Sequence, residues 1–148
     1  MADPHPYLGL ELLAELHVGT GEPVAAGRVP GGTRTVIPIT GGTVGGRIEG
    51  TVLPVGADWN LRRADGTGTV SATYPVRTAD GTVLTITNRG TVTTRDGVLL
   101  GLTAVVVEAP EDSPWAYLND TPVVGSLALA GSADRPAVHL RFYTVDPV

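Results

Sequence analysis

The chain has 148 residues and a formal net charge of −5. It contains no cysteine, which excludes disulfides and cysteine-ligated zinc, and no lysine, which excludes Schiff-base catalysis and a phosphate-binding P-loop. The acidic balance and the scattered arginines argue against a nucleic-acid partner, and no stretch approaches the ~18 apolar residues of a membrane helix. Because the three histidines lie far apart in sequence, we expect no metal and no cofactor, with the cytoplasm as the default location.

Glycine and proline, at 20 and 12 residues, punctuate segments rich in valine and threonine, a composition typical of strands joined by tight turns. We expect one domain over residues 1–148, with a flexible tail over residues 1–8. The stretch 8–16 has a helix-like spacing of glutamates, but we assign it to an opening strand. The expected strands, in chain order, lie near residues 10–18, 33–39, 46–53, 58–63, 69–76, 83–88, 97–108, 123–130 and 138–143.

Three Asp-Gly dipeptides, Asp65-Gly66, Asp80-Gly81 and Asp96-Gly97, predict hairpin turns, because glycine readily adopts the positive φ that such turns need. They recur at intervals of one strand plus its turn, which predicts an antiparallel meander. Apolar residues alternate with polar ones in residues 69–76 and 138–143. Sheets of eight to ten strands tend to curl or close. The expected fold is therefore all-β, a single antiparallel β-barrel of the lipocalin type, with a sandwich as the alternative.

Residues 38–59 read Pro-Ile-Thr-Gly-Gly-Thr-Val-Gly-Gly-Arg-Ile-Glu-Gly-Thr-Val-Leu-Pro-Val-Gly-Ala-Asp-Trp, and residues 115–119 read Trp-Ala-Tyr-Leu-Asn. These strings resemble the domain-of-unknown-function family 3237. The resemblance implies a small β-barrel with a central pocket and supplies no established common reaction. Residues 71–74 read Ser-Ala-Thr-Tyr where the family has Asp-Ala-Arg-Tyr. The loss of this acid and this base implies an altered pocket with a specialised ligand.

Asp58, Glu108 and Tyr74 are the candidate catalytic residues. Asp58 follows a Pro-x-Gly bend, and burial in an apolar barrel would raise its pKa and make it a general acid or base; the alternative is a turn carboxylate that accepts backbone N–H groups. Glu108 ends an apolar strand and is either a buried carboxylate or a solvated strand end. Tyr74 lies on an apolar face, where its hydroxyl could orient a ligand.

The candidate ligand-binding residues are the sparse aromatics, one amide and two arginines. The aromatics either line a pocket or fill the core, and the amide is either a ligand donor or a turn residue. The arginines either bind a carboxylate or an enolate of the ligand, or they are exposed to solvent. The set is Trp59, Trp115, Tyr117, Tyr143, Asn119, Arg47 and Arg89.

Two functions fit these observations. The first is a cofactor-independent enzyme, a cyclase, isomerase or lyase, that uses acid–base chemistry in a barrel pocket to tailor a polyketide-like metabolite. The second is a non-catalytic binding or carrier protein for an apolar small molecule. Either predicts a small-molecule partner and neither needs a nucleic acid or a membrane. Outward apolar side chains over residues 97–107 could also bury a second copy in a homodimer.

Overall fold

The computed structural model describes residues 4–148 and confirms the all-β prediction. Within this range the chain forms ten antiparallel strands and a short 3₁₀ helix. None of the helical structure in these residues is long and apolar enough to cross a membrane. The strands are β1 (Leu8–Thr20), β2 (Val24–Val29), β3 (Gly32–Gly46), β4 (Gly50–Val52), β5 (Ala57–Arg62), β6 (Gly68–Thr78), β7 (Val83–Arg95), β8 (Val98–Glu108), β9 (Val123–Gly131) and β10 (Pro136–Pro147), and the 3₁₀ helix is Ala116–Asp120.

The sheet closes on itself, because β1 pairs with β10 on one side and with β3 on the other. From β10 the order runs through β9, β8 and β7 to β6. Between β6 and β3 one position is shared by β4 and β5, which pair with successive parts of both neighbours. The β-barrel is thus confirmed over the sandwich, and closure leaves few unpaired strand edges to protect.

The three Asp-Gly turns lie where the sequence predicts them. Asp96 and Gly97 have φ values of 50° and 78° and form the two-residue connection of β7 to β8, for which a positive φ at both positions is the preferred geometry. In the other two turns the glycine N–H closes the loop, from Gly81 to the Thr78 carbonyl at 2.9 Å and from Gly66 to the Arg63 carbonyl at 3.0 Å.

The largest differences from the predicted strands are two extensions and one additional strand. β3 continues to Gly46 instead of ending near residue 39, β7 continues to Arg95 instead of ending near residue 88, and β2 is an additional strand. The glycines of residues 41–46 suggest turns, but in the barrel they allow β1 and β3 to approach: a Cβ on Gly42 would lie 2.0 Å from the His17 carbonyl oxygen. Of the expected tail, residues 1–3 lie outside the described residues, and Leu8 begins β1 opposite Pro147.

The inward faces form one core, and the predicted alternation is confirmed in β6 and β10. The inward residues there are Val70, Ala72, Tyr74, Val76, Leu140 and Phe142. The loop 109–122 closes one end of the barrel, with Leu118 fully buried against the core. Asn119 fastens this loop, since its side chain accepts the Ala109 N–H at 2.8 Å and donates to the Ala109 carbonyl at 3.0 Å. Asn119 therefore has a structural role in this loop, which agrees with the turn-residue alternative.

Candidate functional site

The end of the barrel opposite the closing loop contains a pocket of about 340 Å³. Its walls come mainly from β1, β3, β6, β9 and β10, and most of the side chains that line it are aliphatic. This volume is at the lower end of the range for small-molecule sites. The main apolar lining residues are Val18, Ile37, Ile39, Val70, Leu127 and Leu140.

Asp58 brings a carboxylate into this apolar wall. It lies at the start of β5, directly after the bend at Gly56, and its side chain lines the pocket. Its Oδ1 accepts the Ser71 N–H at 2.9 Å, and the Asn60 amide lies 3.5 Å from its Oδ2. Burial raises the pKa of Asp58, and the hydrogen bonds from Ser71 and Asn60 oppose this only in part. Asp58 therefore both accepts a backbone N–H, as the turn alternative held, and faces the pocket as an acid with a raised pKa.

Asp58 lies in the same cross-strand row as a second polar side chain. In the register of β5, β6 and β7, Asp58 is opposite Ala72 and Ala72 is opposite Asn88. Neighbouring strands are about 4.8 Å apart, so the small side chain of Ala72 leaves room between the carboxylate and the amide. Tyr74 lies two residues further along β6, on the same inward face. The three polar groups thus surround one part of the lumen.

Tyr74 and Asn88 are deeply buried, with exposed fractions of 2% and 1%. Among residues 4–148 neither the Tyr74 hydroxyl nor the Asn88 Oδ1 has a hydrogen-bond partner. Buried polar atoms are rarely left without a partner from the protein, water or a ligand. Burial raises the pKa of Tyr74 far above its usual value, so its hydroxyl stays protonated and can donate. The Tyr74 hydroxyl is suited to donating to a ligand oxygen, and the Asn88 Oδ1 is suited to accepting from a ligand hydroxyl.

Asn88 is not among the site residues predicted from the sequence, although the pattern of β7 indicates it. It shares the inward face of β7 with Leu84 and Ile86. An amide on an otherwise apolar strand face is costly unless it binds something. The alternation of residues 83–88 therefore already marks Asn88 as a candidate.

Four predicted site residues lie on the outer wall and not in the pocket. Side chains alternate between the two faces of a strand, so Trp59, which follows Asp58, points outward and is 54% exposed. Glu108 and Arg89 are exposed on the outer faces of β8 and β7, and Tyr143 is half-buried on the outer face of β10. Glu108 therefore matches its alternative, a solvated strand end, and does not line the pocket with Asp58.

Three further candidates gather at the closed end. Arg47 follows β3, forms an ion pair with Glu11 at 3.3 Å and contacts the Tyr117 side chain. Arg47 and Trp115 line a surface depression together with Asp80, whose pKa is lowered to about 2, chiefly by the Thr78 hydroxyl. Arg47, Trp115 and Tyr117 thus form a cluster, but the length of the barrel separates it from the Asp58 pocket.

The raised pKa of Asp58 predicts how stability depends on pH. An acid whose pKa is higher in the folded than in the unfolded state does not lower the free energy of unfolding at a pH below the unfolded pKa. The free energy of unfolding then falls as the pH rises through the folded pKa. We expect Asp58→Asn, which can still accept the Ser71 N–H, to be at least as stable as the wild type at pH 7. Thermal unfolding at pH 7 and at pH 4 checks this, and the advantage of the variant should be smaller at pH 4. A variant that is less stable than the wild type at pH 7 but equally stable at pH 4 would contradict the assignment.

Among the described residues, one group of side chains has the composition and spacing of possible metal ligands. Glu15, His17 and His139 lie together on the outer wall. The lumen pocket has a single carboxylate and no imidazole among its lining residues, so its polar groups are suited to proton transfer and hydrogen bonding.

Sequence comparison gives matches over most of the chain. Residues 8–145 match the family described as "Protein of unknown function (DUF3237)". A "UPF0311 protein" of Rhodopseudomonas palustris (strain TIE-1) is 36% identical over 118 residues, 79% of this chain and 75% of that protein. A second UPF0311 protein, from Bradyrhizobium diazoefficiens, is 36% identical over 85 residues, which span 57% of this chain and 56% of the relative.

Solved structures share the barrel. A β-barrel-like protein from Acinetobacter baumannii superposes with a TM-score of 0.88 and 27% identity, covering 99% of this chain and 100% of that one. A structure described as an enzyme from Penicillium herquei superposes with a TM-score of 0.72 and 21% identity, covering 99% of both chains. The second similarity is one of fold alone.

Proposed function

The chain belongs to the DUF3237 family of proteins of unknown function, and we propose that it is a cofactor-independent enzyme acting on a small apolar molecule in the barrel lumen. The observation that carries the proposal is an acid of raised pKa, Asp58, in an aliphatic pocket that also contains the unpartnered Tyr74 hydroxyl and Asn88 carbonyl. Groups with perturbed pKa values cluster at functional sites. A protein of the same fold is described as an enzyme, which supports the view that this barrel can accommodate catalysis.

The three groups fit proton transfer next to a carbonyl. Asp58, when ionised, takes a proton from a carbon or hydroxyl of the substrate. The Tyr74 hydroxyl donates to the carbonyl oxygen, whose negative charge grows during the transfer. Return of the proton from Asp58 to another carbon isomerises the substrate. If the enolate or alkoxide instead adds to an internal carbonyl or enone carbon, a ring closes, and Asp58 returns the proton to the oxygen or carbon that has gained the negative charge. Both outcomes are redox-neutral and balance without a co-reactant.

The pocket also indicates the class of substrate. None of its lining residues is an arginine, so an anionic ligand would find no opposite charge there. Aliphatic walls favour a compact apolar skeleton, and the few polar groups favour one or two carbonyl or hydroxyl oxygens. A polyketide-like metabolite with these features is our candidate substrate, and cyclase or isomerase chemistry on it is the specific form of the proposal.

A carrier without catalytic activity is the second candidate, favoured by the depth and apolar lining of the same pocket. The two functions share ligand binding and differ in turnover.

A cytoplasmic location and a homodimer remain predictions. The outward stripe on β8 exposes Leu102 and Val106, at 58% and 62%.

Blocking the lumen tests whether this pocket binds ligands. Val138 points inward near the open end of the pocket, and Val138→Trp should fill that space. We expect the affinity for the neutral fluorescent probe N-phenyl-1-naphthylamine to fall about tenfold or more, a loss of roughly 1.4 kcal/mol. The matched control is Val106→Trp, the same substitution on the outer face, which should leave probe binding unchanged. Equal affinities for the two variants, with both folded by circular dichroism, would show that the probe binds elsewhere and would refute the lumen as the binding site.

A further inference from the structure

Two histidines and a glutamate meet on the outer wall of the barrel, outside the lumen. Glu15 and His17 are two residues apart in β1 and therefore point to the same side. His139 in β10 is directly opposite His17 in the register. The two imidazole rings stack with centroids 4.6 Å apart and an interplanar angle of 2°. The pairing of β1 with β10 thus joins histidines that almost the whole chain separates in sequence.

The ligand atoms of this cluster already lie close together. One atom from each of the three residues lies within 4.8 Å of the others. The His139 Nε2 and the Glu15 Oε2 are 3.3 Å apart, which is about the spacing of two ligands in a tetrahedral site with bonds near 2.0–2.1 Å. His17 is exposed, so a rotation of its side chain can bring its ring nitrogen to the same point without moving the backbone.

A neighbouring arginine holds the carboxylate in place. The Arg141 Nε donates to the Glu15 Oε1 at 3.3 Å, which leaves Oε2 facing His139. Groups that hydrogen-bond a metal ligand in this manner orient it and tune its affinity. Arg141 therefore fits the role of a positioning residue for Glu15.

The cluster opens onto a groove with space for further ligands. Glu15 and His17 line this outer groove of about 420 Å³ together with Leu12 and residues 43–46 of β3. Gly45 is opposite Glu15 in the register of β1 and β3, and a Cβ at Gly45 would meet nothing within 4 Å. Water or an added ligand could therefore reach an ion bound here from the side of β3.

We propose that Glu15, His17 and His139 bind a divalent transition-metal ion of the zinc type on the outer wall of the barrel. Two imidazole nitrogens and one carboxylate oxygen favour zinc, cobalt, nickel or copper over magnesium and calcium. Three protein ligands with an open side leave at least one position for water or an added ligand. This site goes beyond the proposed lumen chemistry and is independent of it, because Asp58 faces the interior and the cluster faces outward.

Calorimetric titration with zinc chloride tests the site. The chain is used without an affinity tag, after treatment with a chelator that is then removed. We expect one zinc ion per chain. In His17→Ala and in Glu15→Gln the affinity for zinc should fall by at least about 100-fold, since even residues outside the ligand shell change metal affinity by about 10–100-fold. Glu108→Gln, the same change elsewhere on the outer wall, and Asp58→Asn in the lumen should bind zinc as the wild type does.

Cobalt(II) supplies a second readout that nonspecific binding does not reproduce. With cobalt bound to the cluster, the wild type should show d–d absorption bands much more intense than those of aqueous cobalt, as four-coordinate cobalt does, and His17→Ala should lack this increase. The proposal is overturned if the wild type binds no zinc at millimolar concentration. It is also overturned if His17→Ala, with unchanged circular dichroism, keeps the wild-type affinity, which would place the ion on other groups such as His5.

Discussion

Replacing Asp58 by asparagine should lower turnover of a lumen-bound substrate by about 10²–10⁴-fold, the usual contribution of a general acid or base. The amide cannot take a proton but keeps the shape of the carboxylate and can still accept the Ser71 N–H now bound by Oδ1. Substrate binding, which depends mainly on the aliphatic walls, should change little. Because burial raises the pKa of Asp58, a base role predicts that kcat/KM falls as the pH drops through a value above that of an ordinary aspartate.

A panel of polyketide-type hydroxyketones and enones, with products separated by chiral chromatography, provides the measurement. Asp112→Asn makes the same change in the exposed loop at the closed end and should leave turnover at the wild-type level. If Asp58→Asn keeps full turnover of a substrate that the wild type converts, Asp58 is not the acid or base. If the panel binds in the lumen and no member is converted, the carrier function is favoured.

Alternation and turn chemistry made much of the fold predictable. Where one face of a strand is apolar and the other polar, as in β6 and β10, the inward face could be assigned from the sequence. The placement of Tyr74 on the inward face depends on that alternation, whereas Asp58 is a candidate because it follows the Pro-x-Gly bend. β8 is different, because Val105 and Val107 are buried while Leu102 and Val106 on the opposite face are exposed. A strand that is apolar on both faces does not reveal which face is inward, so the sequence leaves open whether Glu108 faces the lumen or the solvent.

The two ends of the barrel could have been distinguished by counting strands. In an antiparallel meander, successive connections lie at alternate ends. The loop with Trp115 and Asn119 follows β8, so it lies at the same end as the Asp80 turn between β6 and β7. Asp58 lies near the other end, with the Asp65 turn. The pairing of His17 with His139 could not be read in this way, because it depends on how the first and last strands close the ring.

Gly56→Ala should be among the most destabilising single substitutions in this chain, at about 3 kcal/mol or more in unfolding free energy. Gly56 has a φ of +96°, and a Cβ there would lie 2.2 Å from the Thr73 carbonyl oxygen and 3.1 Å from Tyr74. The left-handed backbone alone costs an alanine about 1–2 kcal/mol. The steric clash adds to this, because β5 must move away from β6. That movement would displace Asp58 and Tyr74, so ligand binding should weaken together with stability.

Two matched glycine-to-alanine variants separate these contributions in urea unfolding. Gly81 has a φ of +89° with nothing within 4 Å of a Cβ, and Gly45 has neither a positive φ nor a neighbour within that distance. Gly81→Ala should therefore cost only the backbone term of about 1–2 kcal/mol, and Gly45→Ala should change stability by less than about 0.5 kcal/mol. If Gly56→Ala costs no more than Gly81→Ala, β5 tolerates the added methyl group. In that case a glycine at position 56 is not needed to position the Asp58 carboxylate beside the Ser71 N–H and in the pocket wall.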